Sequence, residues 1–378
     1  MILMEKEEEK NMLMKFEVEN FKNFENRIIL DLAHTNGYEF NSKLIKNDIV
    51  RGGVIFGKNA SGKTNLGYAI FDIVTHLTDK EKAIKDVFPY KNLNSDSEYV
   101  YFNYLFDFDG IKVEYSYSKL EPEILYKEKL IIDGNVVINY DYSLNKGYCT
   151  LVGTENLNKV LDSNKLSFVK YISNNSVLEK NIINNVFNKF IKFVDNMLLF
   201  YSLDFNRYIG YRNGSESIAD AIVKKGKLND FQIFLNKHDL QCRLTSREVD
   251  GQNRIYVKYK NGEADFYSVA STGTRALSLF FYWLINAEDA SFIFMDEFDA
   301  YYHYELSSEI VDEIINRTNI QILFTSHNTN LMNNDVFRPD CLFILQNRGI
   351  KAMSDLTEKE LRKAHNLQKM YKAGAFDE

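Results

Sequence analysis

Residues 57–64, GKNASGKT, limit what this chain can fold into more than any other segment. They fit the pattern G-x-x-x-x-G-K-[ST] at every fixed position. Glycines at this spacing let backbone N–H groups turn inward around phosphate groups, and a helix that begins near Gly62 directs its positive end at them. The apolar run at 53–56 predicts a buried strand, and the spacing over 65–77 predicts an amphipathic helix. This context favours a nucleotide phosphate site over a chance match.

The two residues that end the motif have defined chemical roles. The Lys63 ammonium would reach the β- and γ-phosphates, and the Thr64 hydroxyl would ligate Mg²⁺. The predicted nucleotide-contacting residues of this segment are Gly57, Asn59, Ala60, Ser61, Gly62, Lys63, Thr64 and Asn65.

A phosphate site of this kind needs a carboxylate for the metal and a group that orients water. The run FIFMDE at 292–297 supplies both, because four apolar residues predict a buried strand and two acids follow it. Asp296 would hold Mg²⁺ through water, and Glu297 would polarise the attacking water. An apolar strand that ends in two solvated acids is common by itself, and the neighbouring motif favours the functional interpretation.

A second apolar run, ILFTSH at 322–327, ends in His327. A lone histidine there is more often structural than catalytic. The order of the segments changes that weighting, because a phosphate loop, a distant acidic pair and then a strand ending in histidine is the order found in ABC-type ATPases. We therefore place His327 with Glu297 among the candidate catalytic residues.

Composition bounds the rest of the chain. Its 378 residues, 45% of them hydrophobic, predict a large core in one domain or two lobes. The net charge of −7 argues against a surface covered in basic residues, although it does not exclude a local basic strip. Three scattered cysteines favour a reducing cytoplasm over a disulfide framework or a zinc site. The longest apolar stretch, 276–287, is shorter than the ~20 residues of a membrane-spanning helix, so we expect no membrane partner.

Hydrophobic periodicity predicts the organisation of the first half. Residues 14–32 alternate as two strands, and 98–142 form an antiparallel meander turned by Asp109-Gly110 and Asp133-Gly134. An Asp107–Asp109 pair at the first turn is similar to a nuclease DxD pair, but ordinary turn chemistry explains it. The predicted regions are a charged tail at 1–13, an N-terminal lobe at 14–142, a mostly helical insertion at 143–240, a C-terminal lobe at 241–346 and a helical tail at 347–378.

The last third alternates strands with helices, which predicts a mostly parallel sheet with crossover helices. Predicted strands lie at 241–248, 253–260, 264–269, 291–296, 320–325 and 341–346, and predicted helices at 274–287 and 304–316.

With these motifs the chain resembles the ABC-type ATPase heads of the SMC, RecF and OLD group. More closely it resembles the AAA15/AAA21 family of prokaryotic ATPases found in anti-phage defence systems. The segments that carry the resemblance are NFKNF at 20–24, the phosphate loop, STGTR at 271–275, FIFMDEFDAYYHYEL at 292–306, TSHNTNLM at 325–332 and the ending at 361–376.

The resemblance implies a fold, cofactors and a partner. The fold class would be α/β, a P-loop NTPase head with a mostly parallel core sheet, an antiparallel β subdomain and a helical insertion. ATP and Mg²⁺ would be the cofactors. Ser271, Gly273 and Thr274 would form a signature loop that contacts the nucleotide of the other protomer, so that a homodimer shares its ATP sites, with higher assembly built from dimers. An ordinary helix cap is the alternative for this loop.

Some positions depart from the family pattern. The glutamine that senses Mg²⁺ and the γ-phosphate has no counterpart, because no Gln occurs between Asn65 and Phe231. Tyr304 replaces the proline that usually follows the histidine, here His303. Heptads for SMC-like arms are absent, and the segment after His327 is too short for the Toprim nuclease of OLD enzymes.

The resemblance implies an ATP-gated dimeric switch that controls a separately encoded effector, a Toprim- or HNH-type nuclease or a toxin, in anti-phage defence. A RecF-like DNA-binding repair clamp is the alternative, and a self-contained nuclease is a third. The densest basic patch contains Lys224, Lys225 and Lys227, with Arg207 and Arg212 near it in sequence. A solvated face explains it best, and DNA, RNA or an acidic partner is the alternative.

Overall fold

The computed structural model of the chain describes residues 11–80, 89–201, 208–210, 217–285, 287, 290–300, 304–317, 320–346 and 349–377. Two larger sheets organise this part of the chain, and one helix that follows the phosphate loop lies between them.

The first sheet is antiparallel and contains the predicted meander. Its strands run in the order β10-β9-β8-β7-β6-β1-β2. Their bounds are β1 (Asn11–Glu19), β2 (Ile28–Asp31), β6 (Val100–Phe108), β7 (Ile111–Glu121), β8 (Ile124–Ile132), β9 (Asn135–Asp141) and β10 (Lys146–Cys149). A two-stranded ribbon, β3 (Ile45–Lys46) and β4 (Ile49–Val50), precedes the phosphate loop.

The hairpin turns of this sheet are the predicted ones. Asp109 and Asp133 adopt positive φ angles of 53° and 49°, and Asp107 Oδ1 accepts a hydrogen bond from the N–H of Gly110. The turn interpretation of the Asp107–Asp109 pair is therefore confirmed.

The first strand of this sheet starts earlier than predicted. Strand β1 begins at Asn11, and Met12 and Leu13 are buried. The predicted tail at 1–13 is wrong for its last three residues, which are strand, while 1–10 lie outside the described residues.

The second sheet has a parallel centre, as predicted. Strand order is β12-β11-β16-β17-β5-β18-β19, and β11, β16, β17, β5 and β18 pair in parallel. The bounds are β5 (Gly52–Phe56), β11 (Met197–Tyr201), β12 (Tyr208–Gly210), β16 (Phe292–Asp296), β17 (Gln321–Ser326), β18 (Leu342–Gln346) and β19 (Gly349–Ala352). Every residue of β5, β16 and β17 is buried, which explains their continuous apolar runs.

Strand β11 corrects the prediction that 143–240 is mostly helical. The run MLLFY follows directly on helix α3 (Ile182–Asp195), and periodicity alone cannot distinguish a short apolar strand from a buried helical segment. Parallel pairing with β16 makes it a central strand of the core sheet. The same region also contains β12, α2 (Phe168–Asn175), α4 (Ile218–Lys224) and α5 (Leu228–Lys237).

A small third sheet precedes the long helix of the last third. It comprises β13 (Leu244–Val249), β14 (Gln252–Tyr259) and β15 (Gly262–Asp265). The strand predicted at 264–269 is wrong from Phe266 onward, because Asp265 accepts a hydrogen bond from the N–H of Ser268 and starts the helical turn α6 (Phe266–Val269). Helices α7 (Thr272–Leu284) and α8 (Tyr304–Arg317) follow near their predicted positions.

The predicted helical tail is also corrected. Strand β19 pairs with β18, and α9 (Leu367–Lys372) is the helix of this region. Leu361 and Phe376 are buried, so the intervening chain packs in irregular form. The Asn334 amide donates to the carbonyls of Arg362 and His365, which satisfies backbone acceptors that a helix would otherwise pair.

Helix α1 (Lys63–Leu77) packs against both large sheets. Tyr104 of β6 donates a hydrogen bond to the Ala69 carbonyl. On the other side, a Cβ placed on Gly67 would lie 2.8 Å from the ring of Phe294, so glycine permits the close approach of β16. Trp283 is buried against Phe200, which confirms that it belongs to the core. None of the helices in the described ranges has the length and apolar character to cross a membrane.

Candidate functional site

The phosphate loop connects β5 to α1 with a backbone that favours anion binding. Ala60 and Gly62 adopt positive φ angles of 62° and 103°, and Ser61 N–H closes the turn on the Lys58 carbonyl. Gly62 is the N-cap of α1 and has no side chain to cap it. The first N–H groups of α1 therefore keep their positive end available to an anion.

Lys63 is buried at the start of α1, and its ammonium points into the loop. Nζ donates to the Gly57 carbonyl at 3.2 Å and lies 2.7 Å from Nε2 of His327. Burial lowers the pKa of Lys63, and the carboxylates of Glu297 and Asp296 oppose that change. The predicted phosphate lysine and the predicted histidine are thus in direct contact.

The predicted metal residues also meet. Thr64 Oγ1 donates to Asp296 Oδ2 at 2.7 Å, and Thr325 Oγ1 donates to Asp296 Oδ1 at 2.7 Å. Burial raises the pKa of Asp296, while the two hydroxyl donors act against that rise. A hydroxyl and a carboxylate are hard oxygen ligands of the kind Mg²⁺ prefers, so this pair fits the cation. Thr325 was not predicted, although it lies within the segment that carries His327.

Glu297 follows the buried strand in a sparsely populated backbone conformation. Its φ is 46°, a strained value for a non-glycine residue that is often found at functional sites. Its N–H donates to Thr325 Oγ1, and its Oε1 lies 3.3 Å from His327 Nε2. Since β16, β17 and β5 are adjacent, their carboxyl ends bring both predicted catalytic residues to the phosphate loop.

Asn23 contacts the phosphate loop, a role that the sequence did not predict. Asn23, in the turn between β1 and β2, donates from Nδ2 to the Ser61 carbonyl at 3.0 Å and accepts from Asn65 Nδ2 at 2.6 Å. A Cβ on Gly62 would lie 2.4 Å from Asn23 Nδ2, so the contact requires glycine there. The antiparallel sheet thus holds the phosphate loop through one amide. Asn23 lies within the NFKNF segment, but nothing in that segment indicates which atoms it binds.

The turn that carries Asn23 is itself fixed. Phe21 and Phe24 exchange two backbone hydrogen bonds. The Asn20 amide donates to the carbonyls of Ser97 and Tyr99, while Asn92 donates to the Lys22 carbonyl. Asn23 is therefore presented from a rigid support.

The predicted signature loop lies at the exposed start of α7. Ser271 caps the helix, with its Oγ accepting a hydrogen bond from the N–H of Thr274, so the loop forms a helix cap whether or not it also contacts a second protomer. Ser271 is exposed, and Gly273 and Thr274 are half-buried. Among the described residues, no hydrogen bond joins these three to the phosphate loop of the same chain. Their contact with a second protomer stays a prediction. His303 lies outside the described residues.

A buried polar network holds the far end of α1. Asp72 accepts hydrogen bonds from Tyr90, Tyr117 and Lys119. Burial alone would raise the pKa of Asp72, but Lys119 and His76 lower it to about 2. A cavity of about 60 Å³ lies beside this network, away from the phosphate loop.

The predicted basic patch does not form one cationic surface in the described part of the chain. Lys224 pairs with Asp220 at 2.7 Å, and Lys227 pairs with Asp230 at 3.0 Å. Lys225 donates to the Ile285 carbonyl. Arg207 and Arg212 lie outside the described residues. These pairings agree with a solvated face.

Comparison with known proteins gives the following matches. A family model described as "AAA domain, putative AbiEii toxin, Type IV TA system" matches residues 54–333. No curated protein matches the chain. Among solved structures, the SMC head domain from Thermotoga maritima is 15% identical with a TM-score of 0.41, covering 88% of this chain and 94% of that one.

Two further structures have similar values. The SmcHead bound to the C-winged helix domain of ScpA is 13% identical with a TM-score of 0.46, covering 90% of this chain and 97% of that one. The Smc head domain with an extended coiled coil bound to the C-terminal domain of ScpA, derived from Pyrococcus furiosus, is 12% identical with a TM-score of 0.44, covering 90% and 95%.

Proposed function

The chain belongs to the family described as "AAA domain, putative AbiEii toxin, Type IV TA system", and from this premise we propose that it binds and hydrolyses ATP and acts as an ATP-gated dimeric switch. Membership confirms the resemblance drawn from the motifs. The fold class predicted from the sequence, an α/β P-loop head with a mostly parallel core and an antiparallel β subdomain, is confirmed as well.

One observation supports ATP hydrolysis most directly: five predicted residues converge at the carboxyl ends of three adjacent parallel strands. Lys63 and Thr64 come from the start of α1, which follows the loop after β5, Asp296 and Glu297 from the end of β16, and His327 from the end of β17. Phosphoryl transfer depends on positioning and on stabilising charge, and these are the groups it needs.

Each group has a distinct task in the proposed reaction. The N–H groups of the loop and the Lys63 ammonium would bind the phosphates, and Thr64 and Asp296 would hold Mg²⁺, which neutralises phosphate charge when bound. Glu297 would orient and polarise the attacking water. His327 would hold Glu297 in place through Nε2, an arrangement that the 3.3 Å separation already approaches.

A second protomer would complete the site. Ser271, Gly273 and Thr274 form the accessible start of a helix, where the positive end favours an anion. Within the described part of the chain they make no hydrogen bond to their own phosphate loop. We therefore assign them to the γ-phosphate bound by the partner, so that ATP joins two heads and hydrolysis lets them part.

The family description motivates the biological role. A toxin of a two-gene system, or a switch that controls a separately encoded nuclease or toxin, would use such ATP-dependent dimerisation in anti-phage defence. The RecF-like repair clamp differs in having no toxic partner.

Phosphate release by the purified chain, with Mg²⁺ and with EDTA, tests the enzymatic part. We expect slow phosphate release that requires Mg²⁺ and is lost in Glu297→Gln. Absence of phosphate release by the wild type in the presence of Mg²⁺ would contradict ATP hydrolysis. Expression of the chain in cells with and without its neighbouring gene tests the role. Growth arrest or phage resistance that depends on both genes and on Lys63 supports the switch. Sensitivity to DNA damage after deletion, without toxicity, would favour the repair clamp.

A further inference from the structure

The solvent side of the three-stranded sheet gathers cations that are scattered in the sequence. Arg247 lies directly opposite Arg254 in the β13–β14 register, and residues that face each other in this way share one side of the sheet. Lys258 N–H donates to the Arg243 carbonyl, which places this pair on the same side, beyond the intervening Thr245–Tyr256 pair. Four basic residues, Arg243, Arg247, Arg254 and Lys258, therefore occupy one face, which we call the β13–β14 basic face.

The opposite side of this sheet is covered. Ile255 and Val257 are buried, and α4, α5 and α6 pack against β13, β14 and β15. Asp220 of α4 also accepts hydrogen bonds from the N–H and the amide of Asn253. An antiparallel sheet can leave one side to solvent, and here the open side carries the charges: all four basic residues are exposed.

Two carboxylates share this side of the sheet with the four cations, because Glu263 lies opposite Lys258 and Asp265 lies opposite Tyr256 in the β14–β15 register. Arg247 forms an ion pair with Glu263, and its guanidinium lies 5.1 Å from the ring centroid of Tyr256. In the described part of the chain, no carboxylate lies within ion-pair distance of Arg243, Arg254 or Lys258. Like charges placed directly opposite each other destabilise a sheet, and Glu263 offsets the charge of Arg247 but not that of Arg254.

We propose that the β13–β14 basic face binds the phosphate backbone of a nucleic acid. Exposed guanidinium and ammonium groups along one face can each contact a phosphate of a nucleic-acid backbone, which carries a negative charge at every nucleotide. An aromatic ring among such cations is typical of nucleic-acid contacts. The chain as a whole carries a net charge of −7, so four cations against two carboxylates on one face is not a consequence of its composition.

The face is also well placed to influence the proposed switch. Strand β15 ends at Asp265, the turn α6 follows, and Ser271 caps the start of α7. A ligand on this sheet would thus act on the element that immediately precedes the signature loop. Binding to the face goes beyond the proposed ATPase function and does not depend on it.

Fluorescence anisotropy of labelled DNA, single-stranded and duplex, and of labelled RNA tests the proposal in a potassium chloride series without nucleotide. The test variant is Arg243→Gln with Arg254→Gln and Lys258→Gln. The matched control is Lys359→Gln with Lys363→Gln and Lys372→Gln, three exposed lysines of the C-terminal region whose loss changes net charge equally. Thermal melting verifies that both proteins fold.

The wild type should bind, and its affinity should fall steeply with salt. The test variant should bind weakly, and its slope of log affinity against log salt concentration should be less steep by about two to three. The control variant should keep the slope of the wild type. No binding by the wild type, or an equal loss in both variants, would overturn the proposal. Displacement of the oligonucleotide by polyglutamate as effectively as by unlabelled DNA would also overturn it, and would assign the face to an acidic protein.

Discussion

Lys63 Nζ lies 2.7 Å from Nε2 of His327, and the same ring nitrogen lies 3.3 Å from Glu297 Oε1. An ammonium can only donate, so His327 must present an unprotonated Nε2 to Lys63. Lys63 and Glu297 therefore compete for one atom. A γ-phosphate that attracts Lys63 would release His327 to Glu297, which links nucleotide binding to assembly of the catalytic pair.

Replacing Lys63 by alanine should abolish ATP binding. The change removes the buried ammonium that lies inside the phosphate loop. Titration with a fluorescent ATP analogue measures the loss. Lys58→Ala is the matched control, because Lys58 is an exposed lysine of the same loop and should keep its affinity. Equal binding by Lys63→Ala and the wild type would refute the assigned site.

Asn23 should act as a positioning residue for the loop. Asn23→Ala removes two hydrogen bonds and should weaken ATP binding by about thirtyfold, since each contributes about 1 kcal/mol. Asn23→Asp should bind more weakly still, because a carboxylate repels both the Ser61 carbonyl and the phosphates. Calorimetric titration with ATP gives these affinities.

The control for Asn23 is Asn184→Ala. The Asn184 amide donates to the carbonyls of Val152 and Glu179 on another part of the fold. Its loss should lower stability without changing ATP affinity. If wild-type protein binds ATP and Asn23→Ala binds it equally well, the positioning role is wrong although the ATP site stands.

The Asp72–Lys119 pair should make stability depend on acid. The pKa of Asp72 is about 2 in the fold, below the 3.8 of the free side chain. Its ionised form therefore contributes fully above about pH 4, by about 2 kcal/mol, and the contribution fades as pH falls toward 2. Asp72→Asn should cost about 3–5 kcal/mol near neutral pH, because it removes the carboxylate that is ion-paired with the buried Lys119 ammonium, and should cost less near pH 3.

Thermal melting at both pH values measures this difference. Asp79→Asn is the control, because Asp79 is an exposed carboxylate paired with Lys170 and should contribute at most about 1 kcal/mol. A penalty for Asp72→Asn that is equal at neutral and acidic pH would show that its charge does not stabilise α1.

Mixed variants should reveal whether the ATP site is shared. Lys63→Ala disables the phosphate loop, and Ser271→Arg places a bulky side chain in the predicted signature loop. Each variant alone should be inactive in ATP hydrolysis. In a mixture, a heterodimer pairs the intact loop of one chain with the intact Ser271 of the other, so activity should return in part. A mixture that stays inactive, while the wild type hydrolyses ATP, argues for a site within one chain.

Much of this site can be predicted from the sequence because its chemistry demands fixed local patterns. Lys63 and Thr64 belong to one motif, and Asp296, Glu297 and His327 each end an apolar run that must be a buried strand. Parallel strands put their carboxyl ends on one edge, so the meeting of these residues follows from the fold class.

Other features depend on contacts that no local pattern encodes. Asn23 reaches Ser61 across 38 residues, and only the geometry of its turn shows that its amide lies on the loop. The cations of the β13–β14 basic face are separated in sequence and meet only through strand register. The run MLLFY of β11 has no periodicity that separates strand from helix, so its pairing with β16 decides its structure.

The mass of Glu297→Gln in solution with ATP and Mg²⁺ tests the switch most directly. Loss of the carboxylate should block hydrolysis but leave Lys63, Thr64 and Asp296 to bind the nucleotide. Multi-angle light scattering should then give twice the mass of the chain with ATP and the mass of one chain without it. A protein that binds ATP and stays monomeric would contradict the shared site on which the proposed switch rests.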